Sequence, residues 1–338
     1  MADHVLLIAL ERTEVRFRLI DQTIGPSESD VRPAPWDCGP YLTDINGARL
    51  VEELIRRLRA FIDHGDVNLV GVAISLPGTL ENGIVRRSSR LGIHTEIDLQ
   101  GELAQRLKVE VVVAHDTDCI AHGEIHHGVL ASITPPRSVC LVFADEGVGS
   151  TLYVDGNQYR GAGFAGRIGR LVVEPNGGYE HRFEARGPLE SYATRPGISS
   201  NLVAEYKSEQ EKLGGTTTGD KIFRTHLRSA ANKQHTDALS ISHIVHGVQE
   251  HDPIAISVLE NSAQYLGLAL HSLITIVNPD ALILAGRVLT DIPGLADRAT
   301  SYARRFSYVH AWNQTSIHIA SLGTDAQFFG AHHRYATR

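Results

Sequence analysis

Cysteine is scarce: Cys38, Cys119 and Cys140 are the only three in 338 residues. An odd, sparse set argues against a disulfide framework and fits a reducing compartment, so a cytoplasmic protein is expected. Long apolar runs are missing too. The longest candidate, YLGLALHSLITIV at 265–277, is interrupted by His271 and Ser272 and reads as a buried helix rather than a membrane span. The N-terminus MADHVLLIAL has neither a basic leader nor a small-residue cleavage site, so no signal peptide and no membrane partner are expected. Positive charge is in deficit, with a net charge of -7, which argues against broad attraction to nucleic-acid phosphates. Histidine, by contrast, is abundant at eighteen residues. The pairs His126-His127 and His332-His333 have no matching set of ligands in the sequence and read as solvated surface.

What is present is a repeat. VLLIALERTEVRFRLIDQ at 5–22 aligns without a gap on VCLVFADEGVGSTLYVDG at 139–156, at a constant offset of 134, with Val5 on Val139, Leu7 on Leu141 and Asp21 on Asp155. Each copy reads as strand, polar turn, strand. Each is followed by a helical pattern and another strand: 47–65 and 67–76 after the first, 252–277 and 280–286 after the second. Asp252 is a natural N-cap for the second helix, with Pro253 in its first turn. A hairpin–helix–strand order used twice predicts two α/β lobes, with ligands in a central cleft where turns and strand ends converge.

Between the copies, the apolar strand 109–113 runs into Ala114, His115 and Asp116, and a helical pattern follows. A carboxylate at the C-terminal end of such a strand is well placed to be a general base. It is equally well placed to be the N-cap of the helix.

These residues bring the chain to a family. Its landmarks are VGVAISLPGTLENGIV (70–85), VVVAHDTDCIAHGEIHHG (111–128), GVGSTLYVDG (147–156), GAGFAGRIGRLVVEP (161–175), GPLE (187–190), NPDALILAG (278–286) and FFGAHHRYA (328–336). In order and spacing they resemble the ROK family of repressors, open reading frames and sugar kinases. The resemblance covers almost the whole chain. It implies a two-lobed α/β protein of the actin-like, hexokinase-like (ribonuclease H-like) duplicated fold. The expected lobes are residues 1–118 with a C-terminal helix at 322–338, and residues 119–321. A homodimer is also expected.

The family's kinases hold MgATP on two glycine-rich turns, and an aspartate takes the proton from a sugar hydroxyl as it attacks the γ-phosphorus. Asp116 matches that aspartate, with His115 where the family has a sugar-binding asparagine. Pro77, Gly78 and Glu190 match further sugar contacts. The first phosphate turn departs from the pattern: Ala9, Glu11, Arg12 and Thr13 stand where kinases have an aspartate, two glycines and a threonine. In the second, Asp145 and Glu146 replace the opening glycine and threonine, while Gly147 and Gly149 remain; two carboxylates would repel a triphosphate unless a metal or arginine intervenes. The adenosine-side turn is thinned to AGR, keeping Gly286.

Arg167 and Arg170 replace a glutamate and a histidine of the sugar pocket. They suit either an anionic ligand such as a sugar phosphate or sugar acid, or a brace against the nearby Glu174, Glu180, Glu184 and Glu190. The zinc-binding positions that follow in the family fall on Arg170, His181, Phe183 and Pro188, so no structural zinc is expected.

The altered turns resemble those of the family's repressors, which bind sugars without phosphorylating them. A sensor of a sugar or sugar phosphate, with kinase activity impaired or lost, is therefore the leading expectation. The chain starts directly at the first hairpin, so no direct DNA binding by it is expected. The alternative is an ATP-dependent kinase of a hexose, aminosugar or cyclitol, using MgATP and Asp116. A purely structural module would leave Asp116 and Glu190 without a role.

Overall fold

The computed structural model describes residues 3–11, 15–22, 32–33, 47–63, 67–180, 184–212, 221–233 and 239–338. They fall into two compact units, one of residues 1–135 with 321–338 and the other of residues 136–320.

The first unit is built on strands β1 (Asp3–Leu10), β2 (Val15–Asp21), β3 (Arg32–Pro33), β4 (Asn68–Leu76) and β7 (Glu110–His115), with a small hairpin of β5 (Thr79–Glu81) and β6 (Ile84–Arg87). The sheet order is β3-β2-β1-β4-β7; β1 and β2 are antiparallel, and β4 lies parallel to both β1 and β7. Strand alternation sends Leu6, Ile8 and Leu10 of β1 to one face and Val5, Leu7 and Ala9 to the other. The first face packs on α1 (Gly47–Asp63) and α2 (Leu99–Leu107). In α1, Leu50, Val51, Leu54, Ile55 and Leu58 recur at helical spacing. The second face is covered by the C-terminal helix (Ala326–Ala336) through Phe328, Ala331 and Tyr335. That helix also crosses α3 (Asp116–His126). A Cβ on Gly123 would lie 2.5 Å from the Ala326 carbonyl oxygen, and one on Gly330 would lie 2.1 Å from that of Cys119, so only glycine allows this approach.

The second unit repeats the plan. Strands β8 (Ser138–Ala144), β9 (Val148–Val154), β10 (Asn157–Tyr159), β13 (Ala281–Ala285) and β14 (Ser316–Ile319) are ordered β10-β9-β8-β13-β14, again an antiparallel hairpin followed by parallel neighbours. A short ribbon pairs β11 (Tyr179–Glu180) with β12 (Ala185–Arg186). The helices are α4 (Glu190–Ala193), α5 (Arg195–Lys212), α6 (Lys221–Lys233), α7 (Ile241–Gln249), α8 (Pro253–Ile276), α9 (Arg287–Thr290), α10 (Leu295–Phe306) and α11 (Val309–Gln314). The hairpin repeat read at an offset of 134 is thus β1-β2 over β8-β9. The Asp252 side chain caps α8 as expected, accepting from the Ile254 and Ala255 amides. It is fully buried and also pairs with Arg224 of α6 at 3.0 Å.

The units divide at 135/136 and 320/321, and α3 packs on the C-terminal helix of the first unit. Asp116 does not cap α3: it is the first helical residue, and His115 holds the N-cap position without a side-chain cap bond. His126 and His127 are exposed, in line with the surface reading, whereas His332 and His333 are half-buried. His122 is buried, and its ring stacks between His126 (centroids 4.1 Å apart) and His333 (3.5 Å), while His127 stacks on Phe329.

Candidate functional site

In the first unit the site residues come from the ends of two paired strands. Leu76 and His115 are in register, so Pro77 and Asp116 both follow directly from the edge of the sheet. Gly78 turns with φ 145°, and a Cβ there would sit 2.7 Å from the Arg87 carbonyl oxygen. Ser88, itself buried, donates to the Pro77 carbonyl and fixes this corner. Asp116 is 5% exposed. Its Oδ1 accepts the Thr117 amide at 2.8 Å and lies 3.1 Å from His115 Nδ1, which in turn is 2.8 Å from Thr117 Oγ1. Its Oδ2 faces Arg90 Nη1 at 3.5 Å. Arg90 escaped the sequence reading: nothing in SSRLG marks it, and only the closed turn Ser88–Ile93 brings it to the carboxylate.

Of the first glycine-poor turn, Ala9 and Glu11 lie among the described residues. Ala9 is fully buried. The Glu11 carboxylate accepts Arg16 Nη2 at 2.8 Å and Gln327 Nε2 at 3.1 Å. Arg16 stands opposite Ala9 in the hairpin, so β2 supplies a cation to Glu11. Arg12 and Thr13 lie outside the described residues.

In the second unit, the β8-β9 turn carries the two acids, and each meets an arginine. Asp145 Oδ2 and Oδ1 accept Arg287 Nε at 2.8 Å and Nη2 at 3.4 Å. Glu146 Oε1 accepts Arg195 Nε at 2.6 Å, with both side chains nearly buried. The backbone adds two ties: the Asp145 amide donates to the Gly147 carbonyl, and the Arg195 amide to the Asp145 carbonyl. Gly286 precedes Arg287 with φ 91°, and a Cβ on it would meet the Ala144 carbonyl oxygen at 2.3 Å. The Gly147–Gly149 turn and the Gly286 turn are therefore strapped together by the Asp145–Arg287 pair.

The same hairpin supports the second group of predicted residues. The Ser150 amide donates to the Gly166 carbonyl, placing Arg167 and Arg170 around the single turn Ile168–Arg170, with both side chains exposed. Glu190 is buried at the start of α4. The loop between them is closed by its own backbone: Val173 N–H to Gly187 C=O, Leu189 N–H to Leu171 C=O, Gly187 N–H to Gly178 C=O, and the β11-β12 pairing. Glu174 is held by the Tyr265 hydroxyl at 3.1 Å. Burial first, and then this carboxylate, push the Tyr265 phenol up to about 12.

A family model described as the ROK family matches residues 46–336. The chain belongs to the ROK family. It is 26% identical over 273 residues to a glucokinase of Halalkalibacterium halodurans, covering 78% of this chain and 75% of that protein. It is 22% identical over 263 residues to the xylose repressor of Bacillus subtilis, covering 78% of this chain but 60% of the repressor. In structure it superposes on a ROK transcriptional regulator, a homologue of E. coli MLC, with a TM-score of 0.77, 21% identity and coverage of 99% of this chain and 78% of that one. The fold is the actin-like, hexokinase-like α/β fold of ROK proteins.

The β1-β2 and β8-β9 turns both carry acids, and those acids are tied to arginines of their own unit. A zinc does not fit the loop after Arg170. That position is a cation, Pro188 has no donor side chain, and the closure is made by backbone hydrogen bonds. Among the described residues no group of three or more His, Cys, Asp or Glu is arranged to hold a metal. His181 and Phe183 lie outside the described residues.

Proposed function

We propose that this chain is a ROK-type carbohydrate-binding protein that senses a sugar or sugar phosphate and has impaired or absent kinase activity. The observation that carries the reading is the pairing of Asp145 with Arg287 and of Glu146 with Arg195. A turn that cradles phosphates offers unpaired N–H groups and positive field. Here the nearby guanidinium groups are already engaged by protein carboxylates, and displacing those pairs costs binding energy. Asp116 then serves as an acceptor for ligand hydroxyls, which suits a buried carboxylate at a strand end. The xylose repressor among its relatives is in keeping with such a role.

Cytoplasmic residence and a homodimer belong to the same proposal. Cys119 and Cys140 are both buried and unbridged, as in a reducing compartment, and no helix among the described residues is long and apolar enough to cross a membrane.

The second reading, an ATP-dependent sugar kinase using MgATP, rests on Asp116 at the end of β7 and on its glucokinase relative. The test is a coupled phosphoryl-transfer assay against hexoses, aminosugars and cyclitols with ATP. The proposal predicts no turnover above the uncatalysed background. Turnover that Asp116→Asn abolishes establishes the kinase instead.

A further inference from the structure

Arg90 is held in place but lightly engaged. It sits on the turn between Ser88 and Ile93, which exchange both backbone hydrogen bonds at 2.9 Å, and Ser88 is itself anchored to Pro77. Among the described residues its ion-pair partner is Asp116, and the 3.5 Å separation is longer than the 2.7–2.9 Å typical of a charge-assisted hydrogen bond. A guanidinium has five N–H donors. At 26% side-chain exposure this one is partly shielded from water, and it stands beside an Asp116 side chain that is 7% exposed.

We infer that Arg90 makes this corner of the first unit a site for an anionic group, a carboxylate or phosphate carried on a polyol. The anion would sit on the guanidinium fork, and Asp116 would keep Arg90 oriented while accepting a hydrogen bond from a neighbouring hydroxyl of the same ligand. A neutral sugar can use Asp116 but leaves most of the guanidinium unanswered. This inference rests on the carbohydrate-binding reading and names its ligand class. It is independent of Arg167 and Arg170.

The test is calorimetric titration with glucose, glucose 6-phosphate, glucuronate and inorganic phosphate, on the unaltered protein and on the Arg90→Gln and Arg90→Lys variants, each checked for folding by thermal melting. The unaltered protein should bind one of the two anionic sugars at least about tenfold tighter than glucose. That preference should weaken as salt is raised. Arg90→Gln should bring the ratio of anionic to neutral affinity to within about threefold of one, and Arg90→Lys should recover part of it. Competition by inorganic phosphate, with glucuronate weak, assigns a phosphate; the opposite order assigns a carboxylate. If Arg90→Gln does not fold, Arg90→Lys and the salt dependence decide. The inference is overturned by equal or tighter binding of glucose, by a preference that survives in Arg90→Gln, or by no binding of any probe. Glucose binding without an anionic preference leaves the sensor reading standing, whereas phosphoryl transfer in the coupled assay removes the sensor reading without bearing on Arg90.

Discussion

Arg287, one residue beyond the Gly286 turn, reaches back across 142 positions of sequence to clasp Asp145 in the β8-β9 turn. The β8-β9 turn and the Gly286 turn are thereby joined to each other. Beside them Arg195 and Glu146 form a second, more buried pair.

These pairs should be structural. Arg195→Ala leaves the Glu146 carboxylate nearly buried without its cation and should cost about 1–3 kcal/mol. Arg287→Ala should cost less, because that guanidinium is 48% exposed and its pair is better screened. Thermal melting of the two variants checks the order; equal, negligible losses would show that the turn does not depend on either pair.

Removing the acids should reopen the turn. Asp145→Gly combined with Glu146→Thr deletes two negative charges and restores the glycine-threonine pair implied by the family resemblance. MgATP affinity should then rise at least about tenfold over the unaltered protein. Calorimetric titration of the double variant measures this, and an unchanged affinity would mean that the acids are not what bars the nucleotide.

Asp252 offers a separate check on the packing of the second unit. Asp252→Ala removes the α8 cap and one of the two carboxylates paired with the buried Arg224, which keeps Glu209, and should cost about 1–3 kcal/mol. Asp252→Asn keeps a capping oxygen and should cost less. Melting temperatures of the pair test it, and the reverse order would refute the capping role.

The imidazole stack predicts an acid-sensitive first unit. Burial pushes His122 down to about 3, and it also lowers His126, His127, His332 and His333, with the neighbouring histidines and Arg334 adding to the effect at His122 and His333. Each of these groups binds its proton less readily folded than unfolded. Their contribution is therefore fully present above the unfolded value of 6.5 and is lost as pH falls below it toward the folded values. The melting temperature should be level between pH 7 and 8 and drop by about 2–6 °C from pH 7 to pH 5. His122→Leu should flatten that drop; an unchanged slope would place the acid sensitivity elsewhere.

The fold was legible because its signals are local. Alternation in 5–22 and 139–156 reports two hairpins, and Asp252-Pro253 reports the start of α8. Asp116 was legible as a strand-end carboxylate, although its place as first helical residue rather than cap was not. Arg90, Arg195 and Arg287 were not legible as partners of Asp116, Glu146 and Asp145, since ion pairs across 49 or 142 positions leave no periodic trace. The histidine stack was missed for the same reason: His122 and His126 meet His333 only because two glycines let their helices cross closely.

The most direct test of the central claim is calorimetric titration of the folded, unaltered protein with MgATP at several temperatures. The locked turn predicts no detectable heat of binding. Binding at millimolar affinity or tighter would contradict it, and would mean that Gly147 and Gly149 still hold a nucleotide despite Arg287 and Arg195.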